Sequence, residues 1–438
     1  MRSIVVREHA LLTTGRLAGE SSLEAASISQ SAFDWLCMES ARMRAAGARL
    51  VQQDGRNWLR LDNYVGVIET PCRTRIEILP KAFDDDSEAY RARALLRTML
   101  ARCLDLKPRE TGPASIQAFS GPLTEWVMHE FLEALDRLVK RGLRFDYRSV
   151  RERRRYLAGR LDTARQLRQP PGRDHLFNIE HDVFAPDRAE NRLLRSALDL
   201  VCRTTGNPDN WRRSRELASY MAAIPPSRDV ASDFRSWGDD RLMVHYRPVR
   251  PWCALILSGK TPLSVLGEWR GRSLLFPMER LFERYVEVCL RRALPVGARL
   301  RPSASSEYLC THRGQRWFRL KPDFIVERPG ERWVIDAKWK QLDASLDNAR
   351  DKYRLSSADF YQLFAYGHRY LAGKGSMFLV YPRTSTFRDP LPEFSFGDGL
   401  TLRALPFDLE AGRLSGVSWQ SGPDRVVPLA RTEDGFAG

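Results

Sequence analysis

Pro322-Asp323 is followed, after twelve intervening residues, by Asp336-Ala337-Lys338. Twelve residues fit a strand, a tight turn and a second strand. A hairpin of that kind sets Asp323 at the start of one strand and Asp336 near the end of the next. Two carboxylates brought together this way can hold Mg²⁺, a hard ion that takes oxygen ligands, with Mn²⁺ as a substitute; the carbonyl of Ala337 is a third candidate oxygen. Lys338 lies two residues past Asp336 and so points to the same side. An amine there can orient or deprotonate a water and offset negative charge on a phosphoryl oxygen.

Flanking residues suit the same chemistry. Glu279 and Glu283 share one face of a helix predicted over Leu274–Leu294. Of the two, Glu283 is the better candidate ligand, because it directly follows the apolar Phe282. Gln362 and Tyr366 share a face of a helix predicted over Ser356–Leu371, where an amide and a phenol suit a DNA phosphate or the lysine. Taken singly, an Asp-x-Lys tripeptide is commonplace and glutamates four apart usually mark a solvated helix face. The joint order is more specific. Trp333-Val334-Ile335 demands burial, so Asp336 and Lys338 sit at the end of a core strand, and charge in such a place needs a reason. Lysine is also scarce: the chain has nine among 70 basic residues, yet Lys321, Lys338 and Lys340 fall within twenty positions of one another. Where arginine is the default cation, a lysine beside two aspartates points to a need for a compact amine rather than a planar fork.

The elements that must position these residues fall into three stretches. Residues 1–110 read as a small, mixed α/β unit rich in strands. A helix is expected over Ser29–Gly47 and another over Asp84–Leu106. Between them, strands over Arg49–Gln53, Asn57–Leu61, Val65–Thr70 and Arg75–Leu79 are separated by turn residues. Residues 111–270 read as mainly helical, with helices over Pro122–Gly142, Glu190–Thr205 and Asn210–Ala223. This stretch is arginine-rich: Tyr147–Arg173 alone holds nine arginines, which could face solvent, nucleic acid or a protein partner. Residues 271–438 order as helix, strands over Arg316–Leu320, Asp323–Glu327 and Arg332–Ala337, the Gln362 helix, and strands over Met377–Tyr381 and Leu400–Leu405. That order describes an α/β core around one sheet.

Composition bounds the class. The 438 residues, 43% hydrophobic and 29% charged, are ample for globular domains. The formal net charge of +15 points to a polyanionic partner. No apolar export segment or membrane span is expected, and the seven scattered cysteines read as reduced thiols of a cytoplasmic protein rather than a zinc site. Ala254–Thr261 loosely matches a phosphate-binding loop. Its loop positions are Leu255, Ile256 and Leu257, which want burial, and Pro262 follows at once, so a helix end is expected there and no nucleotide motor within the chain.

Asp323, Asp336-Ala337-Lys338 and Gln362-x-x-x-Tyr366 resemble the motifs of the PD-(D/E)xK nuclease superfamily and its RecB-like branch. More specifically, the chain resembles the McrC subunits of McrBC-type, modification-dependent (5-methylcytosine, type IV) restriction systems. The resemblance is carried by Val65-Gly66-Val67-Ile68, Ile76-Glu77-Ile78-Leu79-Pro80-Lys81, Gly159-Arg160-Leu161-Asp162, Glu190-Asn191-Arg192-Leu193-Leu194, Leu274–Val286 and the nuclease motifs. It implies a restriction-endonuclease-like C-terminal domain. The implied activity is Mg²⁺-dependent hydrolysis of DNA, with Asp323, Asp336, Lys338, Glu283, Gln362 and Tyr366 in the site and Asp323, Asp336, Ala337 and Glu283 as metal ligands. The implied partners are modified DNA and an McrB-like AAA+ GTPase hexamer, which the N-terminal part docks onto and stimulates. Two other readings stand beside it: a stand-alone RecB-like repair nuclease, and a non-catalytic activator of a motor ATPase or GTPase.

Overall fold

The structure is a computed structural model that describes residues 2–17, 19, 22–45, 48–82, 89–104, 121–258, 274–302, 306–397 and 399–416. The described residues fall into two compact units. Residues up to 104 and from 274 onward belong to one, and residues 121–258 to the other.

The chain begins in β1 (Arg2–Arg7), β2 (Leu11–Thr13), β3 (Ala25–Ser27) and helix α1 (Gln30–Ala45). It continues through β4 (Val51–Gln53), β5 (Trp58–Leu61), β6 (Tyr64–Glu69), β7 (Thr74–Leu79) and helix α2 (Ala89–Cys103). Strands β2 to β5 form a small sheet in the order β3-β2-β5-β4. The turn chemistry at Asp54-Gly55, Asp62-Asn63 and Thr70-Pro71 places the breaks between β4, β5, β6 and β7 close to the predicted positions. The outer turns of the two predicted helices, at Ala46-Gly47 and at 84–88 and 105–106, lie outside the described residues.

The second unit holds α3 (Leu123–Arg141), β8 (Asp146–Arg154), β9 (Arg160–Leu161), α4 (Thr163–Leu167) and β10 (Phe177–Ala185). Helices α5 (Ala189–Thr204), α6 (Pro208–Tyr220), α7 (Val230–Arg235) and α8 (Arg250–Ser258) follow. Here the structure departs from the mainly helical expectation. Four of the run's nine arginines, Arg148, Arg151, Arg153 and Arg154, lie on β8, which pairs antiparallel with β10, with β9 on the other side of β10. Val150, Glu152 and Arg154 are partly covered while Arg151 and Arg153 face solvent, a period of two. Charge on both faces hides that period from a hydrophobicity reading. The residues of the loose phosphate-loop match form the end of α8, and Gly259 to Pro262 lie outside the described residues.

The chain then returns to the first unit. It runs through β11 (Leu274–Pro277), α9 (Met278–Ala293), β12 (Arg299–Pro302), β13 (Tyr308–His312), β14 (Gln315–Arg319), β15 (Phe324–Arg328), β16 (Glu331–Ala337), α10 (Ser357–Tyr370), β17 (Gly375–Pro382), β18 (Phe394–Ser395), β19 (Leu400–Asp408) and β20 (Arg413–Leu414). The first turn of the predicted Leu274–Leu294 helix is a strand instead. Pro277 disfavours a helical Phe276 before it, and three apolar side chains there are buried. Strand β11 pairs antiparallel with β6, completing the sheet β1-β7-β6-β11, so the N-terminal and C-terminal stretches share one sheet.

The sheet that carries the candidate site runs β12-β15-β16-β17-β19-β18, with β20 paired to β19. Strands β15 and β16 form the expected hairpin, and β16, β17 and β19 run parallel. Helix α10 lies on this sheet through Leu363, Tyr366 and Tyr370, packed among Ile325, Val334, Met377, Leu379 and Leu402. Its close approach is permitted by Gly367, where a Cβ would come within 2.8 Å of the Leu400 and Met377 side chains.

Candidate active site

Asp323 immediately precedes β15, and Asp336 and Ala337 end β16, so the hairpin register brings them together. The Ala337 backbone N–H donates to Asp323 Oδ2 at 2.8 Å. Asp336 is 1% exposed, because β16 is an inner strand between β15 and β17. Its carboxylate meets Lys338 Nζ at 2.7 Å. The Lys338 backbone N–H donates to the Val380 carbonyl at 2.8 Å, so the lysine's backbone is anchored to β17.

Helix α10 supplies the next layer. Lys338 Nζ donates to Gln362 Oε1 at 3.3 Å, Gln362 Nε2 donates to Tyr366 Oη at 2.6 Å, and Tyr366 Oη donates to the Lys321 carbonyl at 2.8 Å. The i,i+4 spacing of Gln362 and Tyr366 thus builds a relay from the lysine to the backbone just before Pro322. Asp359, one turn earlier, is buried and accepts from Lys340 Nζ at 2.9 Å. The sequence reading does not name Asp359, and it names Lys340 only as one of three clustered lysines. The signal that could have found their pairing is the placement of Asp359, Gln362 and Tyr366 on one helix face.

Glu283 is partly buried on α9, whereas Glu279 is exposed. No direct hydrogen bond joins Glu283 to the aspartates. Burial first, and then the Asp336 charge, push its carboxyl above the ordinary glutamate range.

The electrostatics follow from crowding acids in a dry place. Burial raises the pKa of Asp323, and the charges of Asp336 and Glu283 raise it further. Asp336 is also raised, with burial the main cause and Lys338 opposing it. Burial disfavours the Lys338 ammonium, but the adjoining Asp336 carboxylate outweighs it, so the lysine pKa lies above the ordinary value. Its ammonium donates to Gln362 and pairs with Asp336.

Among the described residues, no group of three or more His, Cys, Asp or Glu side chains is arranged to hold a metal ion. The donor set is two carboxylates with the Ala337 carbonyl at the same strand end. It is all oxygen, and its two acids share one adjoining cation, Lys338. That suits a hard cation such as Mg²⁺, which keeps several of its own waters and binds through one or two carboxylates. All seven cysteines are free, and no described helix is long and apolar enough to cross a membrane.

A family model described as "McrBC 5-methylcytosine restriction system component" matches residues 59–382. No curated protein matches the chain. Among solved structures, the chain is similar to one in a half-complex of the Thermococcus gammatolerans tetradecameric assembly of McrB AAA+ hexamers with bound McrC. The two are 20% identical, with a TM-score of 0.69, over 93% of this chain and 94% of that one. It is also similar to a chain of the Thermococcus gammatolerans McrBC complex, at 20% identity and a TM-score of 0.50, over 66% of this chain and 88% of that one. At these identities the likeness is one of fold.

Proposed function

The chain belongs to the McrBC 5-methylcytosine restriction system component family, and from that premise we propose that it is the McrC-type endonuclease subunit, hydrolysing DNA phosphodiester bonds with Mg²⁺. The observation that carries the reading is the meeting of Asp323, Asp336 and Lys338 at the ends of one hairpin, with Gln362 and Tyr366 behind the lysine. In this reading the hairpin sheet with α10 is a PD-(D/E)xK nuclease fold.

Asp323 and Asp336 would hold the divalent cation, with the Ala337 carbonyl and Glu283 as accessory oxygens. When bound, the cation would supply Lewis acidity for the attack on the phosphoryl group. Lys338, charged and held by Asp336 and Gln362, orients the attacking water and donates to the phosphoryl oxygen that gains negative charge. Gln362 and Tyr366 fix the lysine's direction. Lys340 and Asp359 set a second charge pair beside it.

In this reading the chain works with a separate motor. The partner is an AAA+ GTPase of the McrB kind, as in the solved assembly of similar fold, and the site of action is the cytoplasm. The decisive experiment purifies the chain with such a partner and measures cleavage of methylated and unmethylated DNA with GTP and Mg²⁺. Cleavage that requires Mg²⁺ and falls at least a thousandfold in Lys338→Ala, with stimulation of the partner's GTPase intact, is the expected result. Wild-type cleavage by Lys338→Ala would sink the site assignment.

A further inference from the structure

The segment that carries Lys338 is gripped from the N-terminal sheet by a buried carboxylate. Glu8 directly follows β1 and is 0% exposed. Its backbone N–H donates to the Leu79 carbonyl at 3.0 Å, and His9 turns the chain away in the left-handed region at φ 65°. These two constraints aim the Glu8 side chain toward the end of β16. Glu8 Oε1 accepts from Trp339 Nε1 at 2.8 Å and from the Lys81 backbone N–H at 2.7 Å. Lys81 closes the Ile-Leu-Pro-Lys segment at the end of β7, and its own carbonyl accepts from Gln341 Nε2 at 3.2 Å. The Trp339 ring also packs on Phe282, next to Glu283, at a centroid distance of 5.2 Å.

A carboxylate without solvent is a costly way to fill space; an apolar side chain would pack at lower cost. The groups around Glu8 offset the burial only in part. Desolvation raises its pKa to about 7 against the opposing Lys81 and Trp339 N–H donors and the Lys81 charge, and Glu279 adds to the rise. His9 Nε2 stands 4.0 Å from the other oxygen. Retaining an acid here makes sense if its acceptor geometry serves the segment it holds. Trp339 is the residue after Lys338, and Gln341 is the third.

We propose that Glu8 is a positioning residue for the nuclease centre: by accepting the Trp339 indole N–H while seated on the Ile-Leu-Pro-Lys segment, it fixes residues 337–341 so that Lys338 stays on Asp336. This rests on the nuclease reading above.

The test uses the full chain with its AAA+ partner and compares Glu8→Ala, Glu8→Gln and Trp339→Phe. It reads cleavage kinetics, partner GTPase stimulation, and hydrogen exchange of the 336–342 segment in the metal-free chain. Glu8→Ala and Trp339→Phe should each lower the cleavage rate at saturating DNA about tenfold or more, the order expected for a lost buried hydrogen bond. Half-saturation by DNA and GTPase stimulation should stay near wild type, and exchange at 336–342 should quicken. The double variant should fall no further than either single one, and Glu8→Gln, which keeps an acceptor oxygen, should recover most of the loss. Wild-type cleavage and exchange in Trp339→Phe would overturn the proposal, as would a Glu8→Gln variant as impaired as Glu8→Ala. If the wild-type chain does not cut, or Lys338→Ala cuts as well as it does, the nuclease reading fails separately. The exchange measurement then decides alone: faster exchange supports the grip, unchanged exchange removes it.

Discussion

Asp323 and Asp336 bind their protons more tightly in the folded chain than in the unfolded one, because burial and mutual repulsion penalise their charged forms. For an acid of raised pKa, the stabilising contribution is full below the unfolded value of 3.8 and is lost as pH rises through the folded value. The metal-free chain therefore loses stability as pH rises above the unfolded value, and on the alkaline side Asp323 carries a destabilising charge. Asp323→Asn keeps an oxygen to accept the Ala337 N–H and removes that charge. In EDTA at pH 8 it should raise stability by about 1–2 kcal/mol, read as a higher melting temperature. The gain should shrink toward pH 4, and Mg²⁺ should stabilise the wild type but not the variant. An Asn variant that melts below wild type at pH 8 would contradict the electrostatic picture. At this scale the sequence was informative. Residue type, the twelve-residue gap and lysine scarcity were enough to point at Asp323, Asp336 and Lys338. Glu8 was not legible, since a lone glutamate after Val5-Val6-Arg7 gives no hint of a partner 331 positions away.

At the scale of elements, hydrophobic period and turn residues located the β15–β16 hairpin and α10 to within a residue or two, because both bury one well-defined face. They failed where an element's logic is not apolar burial. Strands β8 and β10 are charge-rich and half exposed, and β11 is explained by a pairing partner about two hundred residues earlier in the chain, a separation that local patterning does not reach. That pairing makes a prediction. Gly66 lies in β6 with φ 129°, and a Cβ there would fall 2.0 Å from the Leu274 carbonyl oxygen. Gly66→Ala must open the β6–β11 ladder or shift its backbone. It should cost on the order of 2–4 kcal/mol in denaturant unfolding. A loss below about half a kcal/mol would mean that β11 is not held at this register.

On the scale of the molecule, the described residues before 105 and after 273 form one compact unit rather than two. Beyond the shared sheet, Arg102 Nη1 donates to Tyr285 Oη at 3.0 Å, Tyr285 Oη donates to the Leu409 carbonyl at 2.9 Å, and Arg91 meets Glu410 in a forked pair. The described residues of this unit stop at 104 and resume at 274, while the boundaries expected near 110 and 270 lie outside the described residues. A fragment of residues 271–438 expressed alone should therefore lack a cooperative melt and DNA cleavage. Co-expression with residues 1–110 should restore a cooperative transition. A well-folded, sharply melting 271–438 fragment would show that the N-terminal stretch is dispensable for stability.

The β6–β11 pairing also governs the order in which the protein can be made. On the ribosome, β6 emerges about two hundred residues before the strand that covers its outer edge, a delay of roughly 10–40 s at 5–20 residues per second. Through that interval Tyr64–Glu69, an almost wholly buried strand in the finished sheet, presents open amides and carbonyls to any other extended chain, including the same strand on a neighbouring nascent copy. Polysome crowding is thus the hazard this topology creates, and a slow passage through the codons for residues 121–273 would lengthen it.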